Sequence, residues 1–208
     1  MILAALRNPR IVLALGAVLS LSACAQESVT RGLMSETMIE PPSVAASALP
    51  RFDIAQINVQ VPRSLKVSEK NTYKPVADIV WHGDPLGDRY EQVAAVVKAG
   101  FAAGTHAMNS GRAVVIDVAV QRFHAVTPKT YYTVGGWHEI ELVMMVRDAR
   151  TGAELMAPHP VSLNFRSLKG ADAANAEATG RTQQVRIVDH LARAIRAEMS
   201  VPASYSGF

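Results

Sequence analysis

The residues best suited to chemistry lie in the stretch WHGDPLGDRY, residues 81–90, which holds His82, Asp84 and Asp88. An imidazole beside two carboxylates could transfer protons or bind a metal ion. The order of the residues favours a structural role, because a carboxylate directly before a proline fits the N-cap and first turn of a helix. We therefore predict that Asp84 and Pro85 start a helix and that the stretch carries no catalytic residue.

The histidines are not spaced as metal ligands. The six stand apart, at positions 82, 106, 124, 138, 159 and 190. HEIEL at 138–142 begins like the helix of a zinc protease, but Leu142 occupies the place of the second histidine ligand. The chain also has no phosphate-binding glycine loop, dinucleotide-binding fingerprint or nucleophile elbow. We expect no metal and no cofactor, while a hydrolase-like site assembled from distant residues stays open as an alternative.

Carboxylates within apolar strands offer a second arrangement for acid–base chemistry. Asp117, Glu139 and Glu141 fall opposite the apolar rows of their strands, with Arg122 and Arg147 nearby. Because a sheet with one buried face exposes its other face to water, we expect a solvated face rather than a catalytic pair.

The N-terminus carries the strongest signal in the chain. Arg7 and Arg10 precede an apolar run, residues 11–23, which is shorter than the roughly 20 residues that a helix needs to cross a bilayer. The run ends in LSAC, which resembles the lipobox of bacterial lipoproteins and contains the only cysteine. The resemblance implies cleavage between Ala23 and Cys24 and attachment of diacylglycerol and an acyl chain such as palmitate to Cys24. An ordinary secretory signal peptide is the alternative.

The residue after Cys24 bears on the location of the protein. In the sorting rule of enterobacterial lipoproteins, aspartate at that place retains the protein in the inner membrane. Ala25 therefore favours the outer membrane, with the protein anchored on the periplasmic side.

The mature chain, from Cys24 onward, is close to neutral. Removing residues 1–23, with Arg7 and Arg10, lowers the formal net charge from +3 to +1, which gives no electrostatic case for nucleic acid binding. Residues 24–50 are predicted as the lipidated cysteine and a flexible tether of about 28 Å, with partial packing as an ordered arm as the alternative. Residues 51–208 are predicted as a single globular periplasmic domain.

Alternating and helical patterns predict the elements of this domain. Strands are expected at 52–61, 76–81, 112–123, 137–148 and 154–165, and helices at 89–108 and 183–199. The order predicts an α+β fold, with one mixed, mainly antiparallel sheet of about five strands packed against two helices. A bulge is expected near Ala55 and Gln56, and Pro158 and Pro160 indicate an edge strand or a second bulge.

Two further features predict contacts. Gly100 and Gly104 have the spacing of a membrane-helix dimer, but Lys98 and His106 favour close packing of this helix against the sheet.

Loop 125–136 and the tryptophan after it place three aromatic residues within seven positions. Tyr131, Tyr132 and Trp137 are therefore predicted to contact a partner, with packing of the rings over the sheet edge as the alternative.

Two stretches carry a family resemblance. VADIVWHGDPLGDRYEQV with ELVMMVRDARTGAEL resembles an uncharacterised family of short proteobacterial lipoproteins, a domain of unknown function. RDARTGAEL is also similar to envelope lipoproteins of the curli-secretion-accessory and TolB-amino-terminal types. The resemblance implies a mixed sheet with two helices and a periplasmic accessory role, and it brings no catalytic residue.

These observations predict a non-enzymatic, lipid-anchored periplasmic lipoprotein that binds an envelope protein as an accessory component. The alternatives are an envelope-associated, hydrolase-like enzyme and a carrier of a small apolar ligand.

Overall fold

The computed structural model describes residues 51–200. The predictions for Ala23, Cys24 and the tether lie outside these residues. The strands are β1 (Phe52–Gln60), β2 (Ile79–Val80), β3 (Arg112–His124), β4 (Trp137–Asp148), β5 (Glu154–Ser162) and β6 (Phe165–Arg166). The helices are α1 (Arg89–Thr105), α2 (Pro128–Tyr131), α3 (Gly170–Ala178) and α4 (Gln183–Glu198).

The strands form one mixed sheet in the order β1-β3-β4-β5. β1 runs parallel to β3, whereas β3, β4 and β5 are antiparallel neighbours. The short β2 extends the β1 edge beside the end of β3, and β6 pairs with the start of β4. The predicted α+β fold is confirmed, with a sixth strand and the short helices α2 and α3 in addition. Pro158 and Pro160 lie in β5 at the end of this order, as expected for prolines that cannot donate to a ladder.

One face of the sheet carries the core. Alternate side chains of the two central strands are buried, because successive side chains of a strand point to opposite faces. These are Val114, Ile116, Val118 and Val120 of β3 and Ile140, Leu142, Met144 and Val146 of β4. They form one apolar cluster with buried residues of α1 and α4, which include Phe101 and Leu191.

The glycines of α1 mark a close contact between two helices. A Cβ atom on Gly100 would lie 2.5 Å from the Cβ atom of Leu191, and one on Gly104 would lie 2.5 Å from the Ala192 carbonyl oxygen. Both neighbours belong to α4. The expected packing of these glycines against the sheet is therefore wrong. The missing side chains instead let the backbones of α1 and α4 approach each other.

Helix α1 starts at Arg89, as its periodic pattern predicts, and one turn after the start predicted at Asp84 and Pro85. Asp88 is its N-cap, and the Asp88 carboxylate accepts hydrogen bonds from the backbone N–H groups of Tyr90 and Glu91. The predicted start at Asp84 and Pro85 is wrong because Asp84 accepts a 2.6 Å hydrogen bond from the indole Nε1 of the fully buried Trp81. A buried indole N–H needs such a partner. Asp84 thus has a structural role of a different kind, and Pro85 lies in the turn before the helix.

Strands β1 and β3 each contain a bulge. The expected irregularity of β1 is confirmed between Ile54 and Gln56. β3 has a second one: Val120 pairs with Leu142 and Arg122 with Glu141, so that Gln121 has no partner on β4. An extra residue reverses the phase of a strand. The bulge therefore directs Phe123 into the core and His124 to the opposite face of the sheet, here called the outer sheet face.

The contact between α1 and α4 can be tested with Gly104→Ala. Alanine is a better helix former than glycine by about 1 kcal/mol. The added methyl group would nevertheless meet the backbone of Ala192, so we expect a net loss of about 1–3 kcal/mol in unfolding free energy, as for overpacked cores. Urea unfolding measures the loss. Ala103→Ser, at an exposed position of the same helix, is the control, and a Gly104→Ala protein as stable as wild type would contradict the contact.

Candidate partner-binding groove

The outer sheet face carries ion pairs. Arg147 Nε lies 2.6 Å from Asp117 Oδ2, and Arg122 Nη2 lies 2.9 Å from Glu139 Oε2. Lys74 donates a second charged hydrogen bond to Glu139. The hydrogen bond from Lys74, reinforced by Arg122, lowers the pKa of Glu139 below its ordinary value. Glu139 is therefore an ionised, paired carboxylate, as expected for a solvated sheet surface.

Asp117 is also ionised, although burial acts against it. Desolvation raises the pKa of Asp117, but hydrogen bonds from Arg147 and Asn58 outweigh it, so that the pKa lies below its ordinary value. Asn58 Nδ2 donates to Asp117 Oδ1 at 2.6 Å. A carboxylate that keeps its negative charge at neutral pH is poorly suited to act as a general acid.

Loop 125–136 is folded and fixed in place. It contains α2, whose N-cap Thr127 accepts a hydrogen bond from the backbone N–H of Thr130. Both threonines are buried. Their hydroxyl groups then donate to the carbonyl oxygens of Thr72 and Tyr73, at 2.7 and 2.6 Å. The loop is thereby bound to residues 71–76, a part of the chain without regular secondary structure.

Two more contacts complete this attachment. The backbone N–H of Lys129 donates to the side chain of Asn71 at 2.8 Å. His124 Nε2 lies 2.9 Å from the carbonyl oxygen of Pro75. Four polar contacts thus hold segment 71–76 beside loop 125–136 at the end of β3.

A groove of about 380 Å³ lies between these two segments. We call it the aromatic groove. Its floor includes the buried residues His124, Val126 and Thr130, and its sides include Tyr73, Val134 and Trp137. Lys74 and Glu139, already joined as an ion pair, also line it. The volume falls within the range of about 300–1,000 Å³ that is usual for ligand sites.

Exposed apolar side chains are concentrated around the aromatic groove. Among residues 51–200, seven large hydrophobic side chains are exposed, and five of them lie in segment 71–76 or at residues 132–137. The five are Tyr73 (53% exposed), Val76 (101%), Tyr132 (48%), Val134 (61%) and Trp137 (51%). An apolar surface concentrated in this way is typical of an interaction site.

The predicted partner-contact residues divide into two groups. Tyr131 is only 2% exposed and packs in a small buried cluster with Val126 and Ala173. Its prediction as a contact residue is wrong, because the turn of α2 directs the ring inward. Tyr132 and Trp137 are exposed, and their contact with a partner stays a prediction. Tyr73 was missed, since segment 71–76 has no periodic pattern and meets the loop only through the tertiary fold.

A cation lies over each of the two aromatic sides of the groove. Lys129 Nζ is 4.5 Å from the ring centroid of Tyr73, and Arg166 Cζ is 5.3 Å from the centroid of Trp137. Such cation–π pairs are favourable within about 6 Å. They hold positive charge beside the apolar sides of the groove.

His138 lies in the core beside the loop. It is fully buried, its Nδ1 atom accepts a 3.4 Å hydrogen bond from the Val126 backbone, and its ring packs on Phe165. Burial, with the positive charge of Arg186, lowers the pKa of His138 to about 3. The imidazole is therefore neutral at physiological pH and belongs to the core.

Residues 51–200 contain neither a group of metal ligands nor a membrane-spanning helix. Within residues 51–200, no three His, Cys, Asp or Glu side chains are grouped so that they could hold a metal ion. None of the helices in that range combines the length and the apolar character needed to cross a membrane.

Comparison with known proteins returns a family model and distant solved structures. The model of a family of unknown function, DUF6778, matches residues 52–207, which confirms the prediction of an uncharacterised family. No curated protein matches the chain. A candidate lipoprotein from Caulobacter crescentus CB15 covers 51% of this chain and 80% of its own, with 13% identity and a TM-score of 0.33. A Xanthomonas campestris protein of the family DUF330 covers 74% of this chain and 83% of its own, with 12% identity and a TM-score of 0.36.

The buried state of His138 predicts a pH dependence of stability. Its folded pKa of about 3 lies below the ordinary value of 6.5, so only the unfolded chain takes up this proton as the pH falls below 6.5. This group should therefore cost about 1.4 kcal/mol of stability for each pH unit between about 6.5 and about 3.

His138→Phe should remove this contribution. Urea unfolding at pH 8 and pH 5 should show a stability loss that is smaller in the variant by about 2 kcal/mol. His106→Gln, at an exposed position, controls for the removal of an imidazole. An equal loss in His138→Phe and wild type would show that His138 is not enclosed in the core.

Proposed function

We propose that this protein is a lipid-anchored binding domain of the cell envelope and that it acts by contact through the aromatic groove. The chain belongs to the family of unknown function DUF6778. The observation that carries this proposal is that the exposed side chains of Tyr73, Val134 and Trp137 line one concave surface. Aromatic side chains supply much of the energy of protein contacts, because they bury a large area with few rotatable bonds.

The position of the groove within the sheet supports a role at a distance from an anchor. β1 starts where Phe52 pairs with Arg112, at the beginning of β3, and His124 of the groove floor ends the same strand. Thirteen residues at about 3.3 Å each separate these ends by about 40 Å. A tether that enters at β1 would therefore leave the groove at the far end of the sheet, accessible to a partner.

The anchor itself is proposed from the lipobox resemblance. Cleavage before Cys24 and acylation of its side chain and amino group would hold the protein at the periplasmic side of a membrane, and Ala25 favours the outer membrane. An accessory or assembly role in the envelope follows from the resemblance to curli-secretion-accessory and TolB-amino-terminal lipoproteins. It forms part of the same proposal.

A non-enzymatic role fits the chemistry of the polar side chains. Asp117 and Glu139 of the outer sheet face are neutralised by arginine and lysine, and Asp84 accepts the hydrogen bond of the Trp81 indole. His138 is enclosed in the core and neutral. These groups are engaged in stabilising the fold, which supports binding rather than catalysis as the task of the groove.

The anchor is tested by Cys24→Ser in the full chain. Lipidation needs the thiol, so the variant should lose its acyl chains and shift from the membrane fraction to the soluble fraction. Mass spectrometry and fractionation of cells measure both. Ser22→Ala, which keeps a small residue upstream of the cysteine, is the control. A Cys24→Ser protein that remains acylated and membrane-bound would contradict the anchor.

The contact role is tested by Tyr73→Ser combined with Trp137→Ser. Both rings are about half exposed, so the melting temperature should change little, while recovery of the native partner after cross-linking should fall at least tenfold. Leu86→Ser combined with Val185→Ser removes exposed apolar groups elsewhere and is the matched control. Tyr131→Ser should instead lower the melting temperature. Equal partner recovery in groove and control variants would contradict the proposal.

A further inference from the structure

We infer that the aromatic groove binds an extended peptide segment of a protein partner, in which acidic residues stand on both sides of a large apolar residue. The inference rests on the proposed function and specifies the chemistry of the partner. It follows from the charge, the shape and the position of the rings around the groove.

Positive charge predominates along the groove and its continuations. Lys129, over the Tyr73 ring, and Arg166, over the Trp137 ring, form no ion pair within residues 51–200, and the same holds for Lys169. The cations that line the groove and its continuations are Lys66, Lys74, Arg122, Arg166 and Lys169, Lys129 is added over the Tyr73 ring, and the lining carboxylates are Asp78, Glu139 and Asp172. This excess of three positive charges contrasts with the near-neutral composition of the chain, so the groove is complementary to an acidic partner.

The groove continues at both ends. It shares Val134, Gly135 and Gly136 with a second depression of about 240 Å³, which is also lined by Arg166 and Lys169. It shares Lys74 with a third depression of about 430 Å³, which includes Val76 and Arg122. The second and third depressions have no lining residue in common, so the aromatic groove lies between them and the three form a connected series. A connected series of depressions fits an extended chain.

The rings and the cations determine the order of residues in that segment. A large apolar side chain placed in the central part would lie between Tyr73 and Trp137. Lys129 stands beside the first ring and Arg166 beside the second. Carboxylates before and after the apolar residue would therefore meet a cation on each side. The concave shape favours such a segment over a lipid surface, which would need protruding side chains.

Binding is tested with the full chain purified in detergent and three fluorescent peptides of equal length. One has a central phenylalanine between pairs of glutamates, the second has lysines in place of the glutamates, and the third has alanine in place of the phenylalanine. Fluorescence anisotropy should show the first binding at least tenfold more tightly than the other two. Its affinity should also fall as sodium chloride rises from 50 to 500 mM.

A charge reversal provides the decisive comparison. Lys129→Glu combined with Arg166→Glu changes two exposed side chains. It should weaken the acidic peptide at least tenfold and strengthen the lysine peptide, and this reversal would also show that the variant is folded. Lys98→Glu combined with Arg150→Glu, at exposed positions elsewhere, should leave both affinities unchanged.

Three results would overturn the inference. Equal affinity for all peptides would remove the charge argument. If the protein bound vesicles that contain phosphatidylglycerol and did not bind the acidic peptide, a lipid surface would be identified as the occupant. Self-association that depends on Trp137, without peptide binding, would identify a second copy. In each case, if partner recovery still depends on Tyr73 and Trp137, the proposed contact function stands. If partner recovery does not depend on these two rings, both the inference and the proposed function fail.

Discussion

A single extra residue in β3 determines which side chains build the groove. Up to Val120 the strand buries its even-numbered residues, and after the unpaired Gln121 the buried position passes to Phe123. Without this bulge, the side chains of Arg122 and His124 would point into an apolar core, where an unpaired guanidinium is very costly. With it, Arg122 reaches Glu139 and His124 reaches the carbonyl oxygen of Pro75. Phe123 meanwhile packs edge-on against the buried Trp81.

The bulge also explains how an irregular segment becomes a defined surface. Segment 71–76 has no strand or helix of its own, so its position depends on the side chains that meet it. His124, Thr127 and Thr130 supply these contacts, and the two threonine hydroxyls are enclosed where water cannot replace them. A buried hydroxyl without a partner costs about 1–3 kcal/mol. This cost fixes the loop against the segment and keeps Tyr73 opposite Trp137.

Local patterns were sufficient for the sheet and insufficient for the groove. Alternation of apolar residues predicted β1, β3 and β4, and helical spacing predicted α1 and α4, because burial of one face is encoded by neighbouring residues. The helix start was wrong because the competition between Asp84 and Asp88 is decided by the indole of Trp81. The inward direction of Tyr131 and the meeting of Tyr73 with the loop depend on residues far apart in the chain. The phase change at Gln121 shows only in the pairing with β4.

Stability and contact are assigned to separate parts of the domain. The largest buried side chains lie between the sheet and helices α1 and α4, where Gly100 and Gly104 allow the two helices to pack closely. The rings of Tyr73 and Trp137 lie on the other side of the sheet and keep about half of their surface exposed. Exposed aromatic rings contribute little to folding, since the hydrophobic effect rewards only the area removed from water. The cation over each ring covers one of its faces and keeps the groove charged, and the remaining apolar area is available for burial by another molecule. The apolar area of the groove therefore contributes little to folding and is available to stabilise a complex.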